Sequence, residues 1–339
     1  MLLRADTITK DYISDAEIFS DIFNYYIYDG QQMIKPEQLS ECDSTEIALP
    51  YGTDKVAVPV QKYRDAQKLC AVKTDGEVEY ILYGAEAQAR IHYAMPVRNN
   101  LYDALEYASQ VEAVARAHRR EMGQEKREKT EEEKNGNKIT GIDKKKLSPD
   151  EFLSGFWKED RLIPSVTVTI YFGAEMWDGP MSLFDMLEKP KPEILACMDN
   201  YYMRLIAPAQ MPDSEIMKFQ SSLREVMLFI KYSKDKENLR KILKQDESRF
   251  RNLERRAADV IEVMTNVGMK YEESEAVVDV CQAIQDIRKE EHDLGKMEQA
   301  QETARNLYEM GDGIEKISKC VGFAVETVSQ WLGLSVDGQ

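Results

Sequence analysis

The sequence lacks paired cysteines, long apolar runs and an excess of positive charge. Its 339 residues include 5 cysteines, which are widely scattered and form no Cys-x-x-Cys pair. This spacing argues against a zinc site or a redox pair and is typical of reduced thiols in the cytoplasm. No apolar run approaches the roughly 18 residues that a membrane-spanning helix needs, and the N-terminus lacks the apolar segment of a signal peptide. We therefore expect a cytoplasmic protein with no membrane partner.

Negative charge dominates the composition. The 61 acidic and 45 basic side chains leave a formal net charge of −16, and hydrophobic residues make up 43%. The hydrophobic share is sufficient for a folded core, and the length favours about two domains. The net charge argues against non-specific binding of nucleic acid through overall charge. It does not exclude a local basic groove or a metal site.

The charge is unevenly distributed along the chain. Residues 1–115 carry a net charge of −9, whereas residues 116–150 carry +3 and include the triplet Lys144-Lys145-Lys146. Because residues 116–150 have few apolar side chains, we interpret them as a mobile insertion or linker. This insertion is either a solvated tether or an arm that contacts nucleic acid. The predicted segments are a first domain that contains the insertion, a long helical region and a small tail: residues 1–211, 212–295 and 296–339.

Helical and strand patterns alternate in the first domain and predict an α/β fold. Apolar spacing favours a helix over residues 15–28, which ends at Asp29-Gly30, and a second helix over residues 94–114. The second helix has an apolar face: Leu101, Leu105, Ala108 and Val111. Strand-like segments share β-branched and aromatic residues: 45–49, 56–72, 78–83, 166–172 and 202–206. The pattern predicts a mixed sheet of about five strands with helical cover, and the continuously apolar segment 166–172 predicts a strand buried on both faces.

Helical periodicity dominates the chain from residue 212 onward. Apolar residues recur at positions i, i+3, i+4 and i+7, and charged residues occupy the other faces. These helices form either a self-associating, coiled-coil-like bundle or a solvated bundle of a single chain. Residues 297–334 predict short helices around a Gly-containing turn, as in a helix-turn-helix. The candidate recognition helix has Glu326 and no Arg or Lys, so packing or oligomerisation explains the tail at least as well as DNA binding.

Two acidic residues are the strongest chemical feature of the sequence. Asp65 lies on one predicted strand and Glu86 lies near the end of its hairpin partner, so the two carboxylates are predicted to share one face of the sheet. Neighbouring carboxylates stay ionised most easily when they share a cation, and Mg²⁺ prefers such oxygen ligands. Gln88 points to the same face as Glu86 and is placed to orient an attacking water, but it lacks the charge of a lysine. Acids at sheet edges are more often only solvated, and spacing alone does not decide between the two interpretations.

Five runs follow one another in a defined order: 62–65, 80–88, 92–102, 163–173 and 304–311. The first run ends at Asp65, and the second contains Glu86-Ala87-Gln88. In this order the runs resemble the recombination-promoting nuclease / putative transposase family of the PD-(D/E)xK nuclease superfamily. Together they cover the chain from about residue 10 to residue 335, and the resemblance is based on their order and spacing.

The resemblance implies a bacterial, metal-dependent DNA endonuclease that is linked to recombination or mobile elements. Asp65 and Glu86 would be the ligands of Mg²⁺ or Mn²⁺, and Gln88 would occupy the lysine position of the superfamily as a third catalytic residue. The superfamily often adds an acidic residue from the first helix; Asp21 is the best candidate for it, and Asp15 and Glu17 compete with it. The alternative is a catalytically weak or inactive nuclease-fold protein that acts as an oligomeric interaction or regulatory module. A third possibility, DNA strand transfer by a transposase, is suggested only by the name of the family.

Residues near the acid pair have less distinctive patterns. Arg98 lies four residues before Tyr102 on the predicted helix, and it is either a phosphate contact or a surface arginine. His92 is either a proton carrier or a structural or exposed histidine. Trp177 is interpreted as a loop anchor in preference to a platform for base stacking.

Overall fold

The structure, a computed structural model, describes residues 2–42, 45–48, 60–63, 65–74, 77–134, 148–272 and 274–334. The chain divides into two compact units. The first comprises Met1–Lys244 and Arg256–Thr265, and the second comprises Gln245–Arg255 and Asn266–Gln339. The Lys144-Lys145-Lys146 triplet of the predicted insertion lies outside the described residues.

Helices and short strands alternate along the chain. The strands are β1 (Leu39–Glu41), β2 (Thr45–Ala48), β3 (Val60–Tyr63), β4 (Ala66–Thr74), β5 (Glu77–Gln88), β6 (Ser165–Tyr171), β7 (Leu205–Ile206), β8 (Leu253–Glu254) and β9 (Val277–Val278). The helices in the first part of the chain are α1 (Leu2–Ser14), α2 (Ala16–Tyr28), α3 (Met95–Lys134), α4 (Pro149–Ser154), α5 (Pro192–Leu195), α6 (Asp213–Ile216) and α7 (Leu223–Tyr232). The remaining helices are α8 (Lys236–Gln245), α9 (Glu247–Arg251), α10 (Arg255–Thr265), α11 (Val280–Glu309), α12 (Ile314–Val321) and α13 (Val325–Trp331).

A five-stranded mixed sheet forms the centre of the first unit. Its strand order is β1-β4-β5-β6-β7, with antiparallel pairing from β1 to β5 and parallel pairing from β5 to β7. Strands β2 and β3 form an antiparallel pair of their own, and β2 lies against α3. The predicted α/β class with a mixed sheet of about five strands is therefore confirmed.

Strand β6 lies inside the sheet and is buried on both faces, as its apolar run predicts. Val168 and Ile170 on one face are fully buried, and so are Thr167 and Thr169 on the other. Strand β5 pairs with β4 on one side and with β6 on the other, and it continues to Gln88. The ladder with β4 ends at the Ala66–Ala85 pair, so among the strands described β6 alone pairs with the end of β5 that carries the candidate site.

Aromatic side chains of α2 cover one face of the sheet. Phe23 stacks on Tyr83 with ring centroids 4.4 Å apart, and Phe19 lies 5.0 Å from Phe23. The ammonium group of Lys68, which pairs across the strands with Tyr83, lies 5.6 Å from the centroid of the Phe19 ring. This face is therefore the apolar core of the first unit.

Helix α2 begins and ends where the sequence predicts. The Asp15 carboxylate accepts a hydrogen bond of 2.9 Å from the backbone N–H of Glu17, which caps the first turn. The helix ends at Asp29, whose φ of 53° is left-handed. Asp15 and Glu17 thus belong to the start of this helix.

Helix α1 is an element that the sequence analysis did not predict. Its buried side chains have the spacing i, i+4, i+7 and i+8, which is typical of an amphipathic helix: Ala5, Thr9, Tyr12 and Ile13. Helix α1 contacts β4 and β5. It therefore brings Lys10 to the sheet.

Helix α3 is longer than predicted. The interpretation of residues 116–150 as a linker is wrong for residues 116–134, because these residues continue the helix to Lys134. They are rich in Glu, Lys and Arg, which favour helix even where no core is buried. Residues 135–147 lie outside the described part of the chain.

Helix α3 buries the predicted face only in part. Leu105 of that face is buried, but Leu101 is 37% exposed, whereas Asn99, Tyr102 and Asp103 are buried. The reason is the sheet face beneath α3, which presents the hydroxyl groups of Thr167 and Thr169. Apolar periodicity alone therefore misses the polar part of the buried face.

Helices dominate the chain after residue 212, as predicted. Leu223, Val226, Met227 and Ile230 of α7 are fully buried at the predicted spacing. In the second unit, α11, α12 and α13 pack around a buried cluster: Ala304, Ile317 and Val328. Across the described residues, no helix is both long enough and apolar enough to cross a membrane.

Candidate active site

The pairing of β4 and β5 places Asp65 beside Glu86. Ala66 pairs with Ala85 in the antiparallel ladder, so Asp65, which directly precedes β4, comes next to Glu86. The backbone N–H of Asp65 donates to Glu86 Oε1 over 3.4 Å, and the backbone N–H of Ala87 donates to Asp65 Oδ2 over 3.0 Å. The two acids are neighbours at the same end of the sheet.

Both carboxylates are buried. The Asp65 side chain is 3% exposed and the Glu86 side chain is 0% exposed. Burial raises the pKa of the Asp65 carboxyl, and the charges of Lys10 and Arg98 with the Ala87 N–H offset this rise only in part. Each acid in such surroundings needs a cation or several hydrogen bonds, because a lone buried charge is costly.

Lys10 of α1 is the cation beside Asp65. Its Nζ lies 3.1 Å from Asp65 Oδ1 and 2.9 Å from Asp6 Oδ2. Burial lowers the pKa of Lys10, but the hydrogen bonds and charges of Asp6 and Asp65 outweigh that effect and raise it. Lys10 was not predicted because α1 was not predicted, although Ala5, Tyr12 and Ile13 have the apolar spacing of a helix and were a usable signal.

Arg98 of α3 is the cation beside Glu86. Its Nη2 lies 3.1 Å from Glu86 Oε2, its Nε donates to the Tyr102 hydroxyl over 2.9 Å, and its guanidinium lies 5.5 Å from the centroid of the Tyr102 ring. Burial raises the pKa of Tyr102, and the Glu86 charge adds to that rise. Arg98 is therefore a partner of Glu86 rather than an ordinary surface arginine.

Gln88 lies on the same face of β5 as Glu86. It pairs with Tyr171 of β6, and Glu86 pairs with Thr169. The Gln88 side chain is half-buried, and it has no hydrogen-bond partner in the part of the chain that the structure describes. Its amide is therefore available to a water or a ligand at the Glu86 end of the strand.

A polar layer fixes α3 over the sheet next to the acid pair. Thr167 Oγ1 donates to Asp103 Oδ1 over 2.6 Å, and the Tyr201 hydroxyl donates to Asp103 Oδ2 over 2.7 Å. Asn99 Nδ2 donates to Thr169 Oγ1 over 2.8 Å, one strand away from Glu86. Because these hydrogen bonds are directional, they hold α3, and with it Arg98, in one position over the sheet.

The other acids that competed for the site are used elsewhere. The Asp21 carboxylate accepts hydrogen bonds from the N–H of Gln220 and from the N–H and hydroxyl of Ser221, at 2.9, 2.8 and 2.6 Å. Asp15 caps α2 and lies 3.1 Å from Nη1 of Arg256, and Glu17 is exposed. In all the residues described, no group of three or more His, Cys, Asp or Glu side chains is placed to hold a metal.

The two remaining candidates, His92 and Trp177, lie in different environments. His92 is exposed to solvent. Trp177 is 5% exposed, and its Nε1 donates to the carbonyl of Gly179 over 3.0 Å. The Trp177 ring meets Tyr171 edge to face at 5.4 Å. Trp177 is therefore a loop anchor, as predicted.

Asp65 and Glu86 each offer carboxylate oxygens, the type of ligand that Mg²⁺ prefers. Comparison with known protein families, curated proteins and solved structures gives no match. The case for a metal therefore rests on the donors themselves, since Mg²⁺ is commonly held by one or two carboxylates and keeps several waters. Lys10 and Arg98 already pair with the two acids. A metal ion at this pair would compete with these cations for the carboxylate oxygens.

Proposed function

We propose that the protein is a metal-dependent DNA endonuclease of the PD-(D/E)xK type, which hydrolyses phosphodiester bonds. The observation that carries the proposal is the pair of buried carboxylates, Asp65 and Glu86, at the end of two adjacent strands. Ionisable groups that are buried together in this way are enriched at functional sites. The resemblance of the ordered sequence runs to recombination-promoting nucleases supports the same activity and a bacterial role in recombination or mobile elements.

The side chains of the site have separable roles in this proposal. Asp65 and Glu86 would hold Mg²⁺ or Mn²⁺, which lowers the pKa of a bound water and offsets charge on the phosphate. Gln88, on the same face, orients the attacking water through its side-chain amide. Arg98 holds the Glu86 carboxylate through its guanidinium, which Tyr102 fixes in turn.

Cleavage of supercoiled plasmid by the purified full chain tests the proposal. We expect nicked and linear products with Mg²⁺, and no cleavage with EDTA. Asp65→Asn and Glu86→Gln should abolish cleavage, because each removes a charged oxygen ligand while keeping the size of the side chain. Asp213→Asn is the matched control, since Asp213 pairs with Lys231 outside the site. Cleavage by Asp65→Asn at the parental rate would mean that the site is assigned wrongly.

One observation favours a second candidate function. Lys10 and Arg98 already pair with the two carboxylates, so each buried acid has a cation beside it. A nuclease-fold protein that has lost catalysis and acts as an interaction or regulatory module, with self-association through the C-terminal helices, would keep such ion pairs for stability. This alternative predicts no metal binding in calorimetry and a stable oligomer in light scattering.

A further inference from the structure

We propose that Lys10 is the phosphate-binding residue of the site and supplies the positive charge that Gln88 lacks. The inference rests on the proposed nuclease function and deepens it, because it assigns the residue that contacts the DNA backbone. It is carried by the position of the Lys10 ammonium, 3.1 Å from the Asp65 carboxylate.

Lys10 can reach a ligand without a change in the fold. Its side chain is 37% exposed, although the Asp65 side chain that it contacts is only 3% exposed. An ammonium group has three N–H donors, and the contacts with Asp6 and Asp65 account for two of them. The third has no acceptor within the described ranges of the chain. Lys10 thus joins the buried acid pair to solvent.

Arg98 is less suited to the same role. Its guanidinium is held at two points, by Glu86 and by the Tyr102 hydroxyl. A lysine is a compact charge on a flexible stem and can exchange one oxygen partner for another. A phosphate oxygen beside Asp65 can therefore replace a carboxylate oxygen as the partner of Lys10, while Arg98 keeps Glu86 in place.

The salt dependence of DNA binding tests this assignment. Affinity for a short duplex is measured by fluorescence anisotropy across a salt series, with Ca²⁺ in place of Mg²⁺, for the full chain and its variants. Lys10→Ala should reduce the slope of log K against log salt by about 0.9, which is the value for one lost phosphate contact. Its cleavage with Mg²⁺ should fall roughly 10- to 100-fold, as expected for a lost hydrogen bond to a charged group. Lys10→Arg should retain the parental slope.

Lys218→Ala is the matched control. Lys218 also pairs with two carboxylates, those of Asp29 and Glu215, and its side chain is 29% exposed, so the variant removes a comparable charge away from the acid pair. It should retain the parental slope and rate. Lys10→Gln, which preserves most of the side-chain length, replaces Lys10→Ala if that variant unfolds.

The outcomes separate the two proposals. If the parent binds and cuts DNA but neutral variants at Lys10 keep its salt slope, the assignment of Lys10 is overturned and the nuclease function stands. If the parent neither binds nor cuts DNA, both proposals are overturned. A reduced salt slope in Lys10→Ala or Lys10→Gln, together with the parental slope in Lys10→Arg, would support both proposals.

Discussion

At the scale of single residues, the site depends on which cation accompanies each buried acid. Glu86 is fully buried and has Arg98 beside it, whereas Asp65 has Lys10 and the Ala87 N–H. Removing one partner of a buried ion pair leaves an uncompensated charge, which is more damaging than removing both. The consequences for stability therefore differ between single and paired substitutions.

Arg98→Ala should destabilise the fold because it removes the cation that pairs with the buried Glu86 carboxylate. We expect a loss of about 3 kcal/mol in the free energy of unfolding, measured by urea denaturation at neutral pH. The double variant Arg98→Ala with Glu86→Gln should recover part of this loss, because the buried charge is gone. Arg116→Ala, an exposed position on the same helix, is the control. An equal loss in Arg98→Ala and Arg116→Ala would show that the contact with Glu86 has no stabilising role.

Asp21→Asn separates a structural acid from a metal ligand. Its Oδ2 accepts three hydrogen bonds from Gln220 and Ser221. An amide oxygen in that place loses the negative charge that strengthens these bonds, and the amide NH2 cannot accept the Gln220 N–H that also lies 3.2 Å from Oδ1. We expect a loss of about 1–3 kcal/mol in the free energy of unfolding by urea denaturation. Metal affinity should not change. A weaker metal affinity with unchanged stability would place Asp21 in the site and contradict this role.

At the scale of elements, the strand pair and the two helices around it differ in how far the sequence predicts them. Asp65 directly precedes β4 and Glu86 lies on its antiparallel partner β5, where hairpin register follows from local pattern, so their proximity could be predicted. The contact of Lys10 could not, because it depends on how α1 packs on the sheet. The polar part of the buried face of α3 also could not be predicted from apolar spacing, since its partners are hydroxyl groups of β6.

The contact between α3 and the sheet should be sensitive to loss of Asp103. Asp103→Ala leaves the Thr167 and Tyr201 hydroxyls without their acceptor, and we expect about 2–4 kcal/mol of destabilisation in urea. Tyr201→Phe removes one donor and should have a smaller effect, near 1 kcal/mol. If Asp103→Ala were no less stable than Tyr201→Phe, this polar layer would not be what holds α3.

At the scale of the whole molecule, the net charge of −16 opposes binding of DNA. Arg98 pairs with Glu86, and Lys10 is shared between Asp65 and Asp6, so two cations offset most of the charge of three carboxylates at the site. Attraction to a phosphate backbone would be local and would be screened by salt. Cleavage should therefore decline steeply between low and physiological ionic strength, which a plasmid assay across a salt series measures.

Direct titration of the full chain with Mn²⁺, followed by electron paramagnetic resonance of the free ion, tests the metal site most directly. The account predicts binding by the parent, and loss of that binding in both Asp65→Asn and Glu86→Gln, with Asp213→Asn unchanged. Lys10→Ala should bind at least as tightly as the parent, because it removes a competing cation from Asp65. No binding by the parent, or equal binding by the parent and Glu86→Gln, would contradict the account.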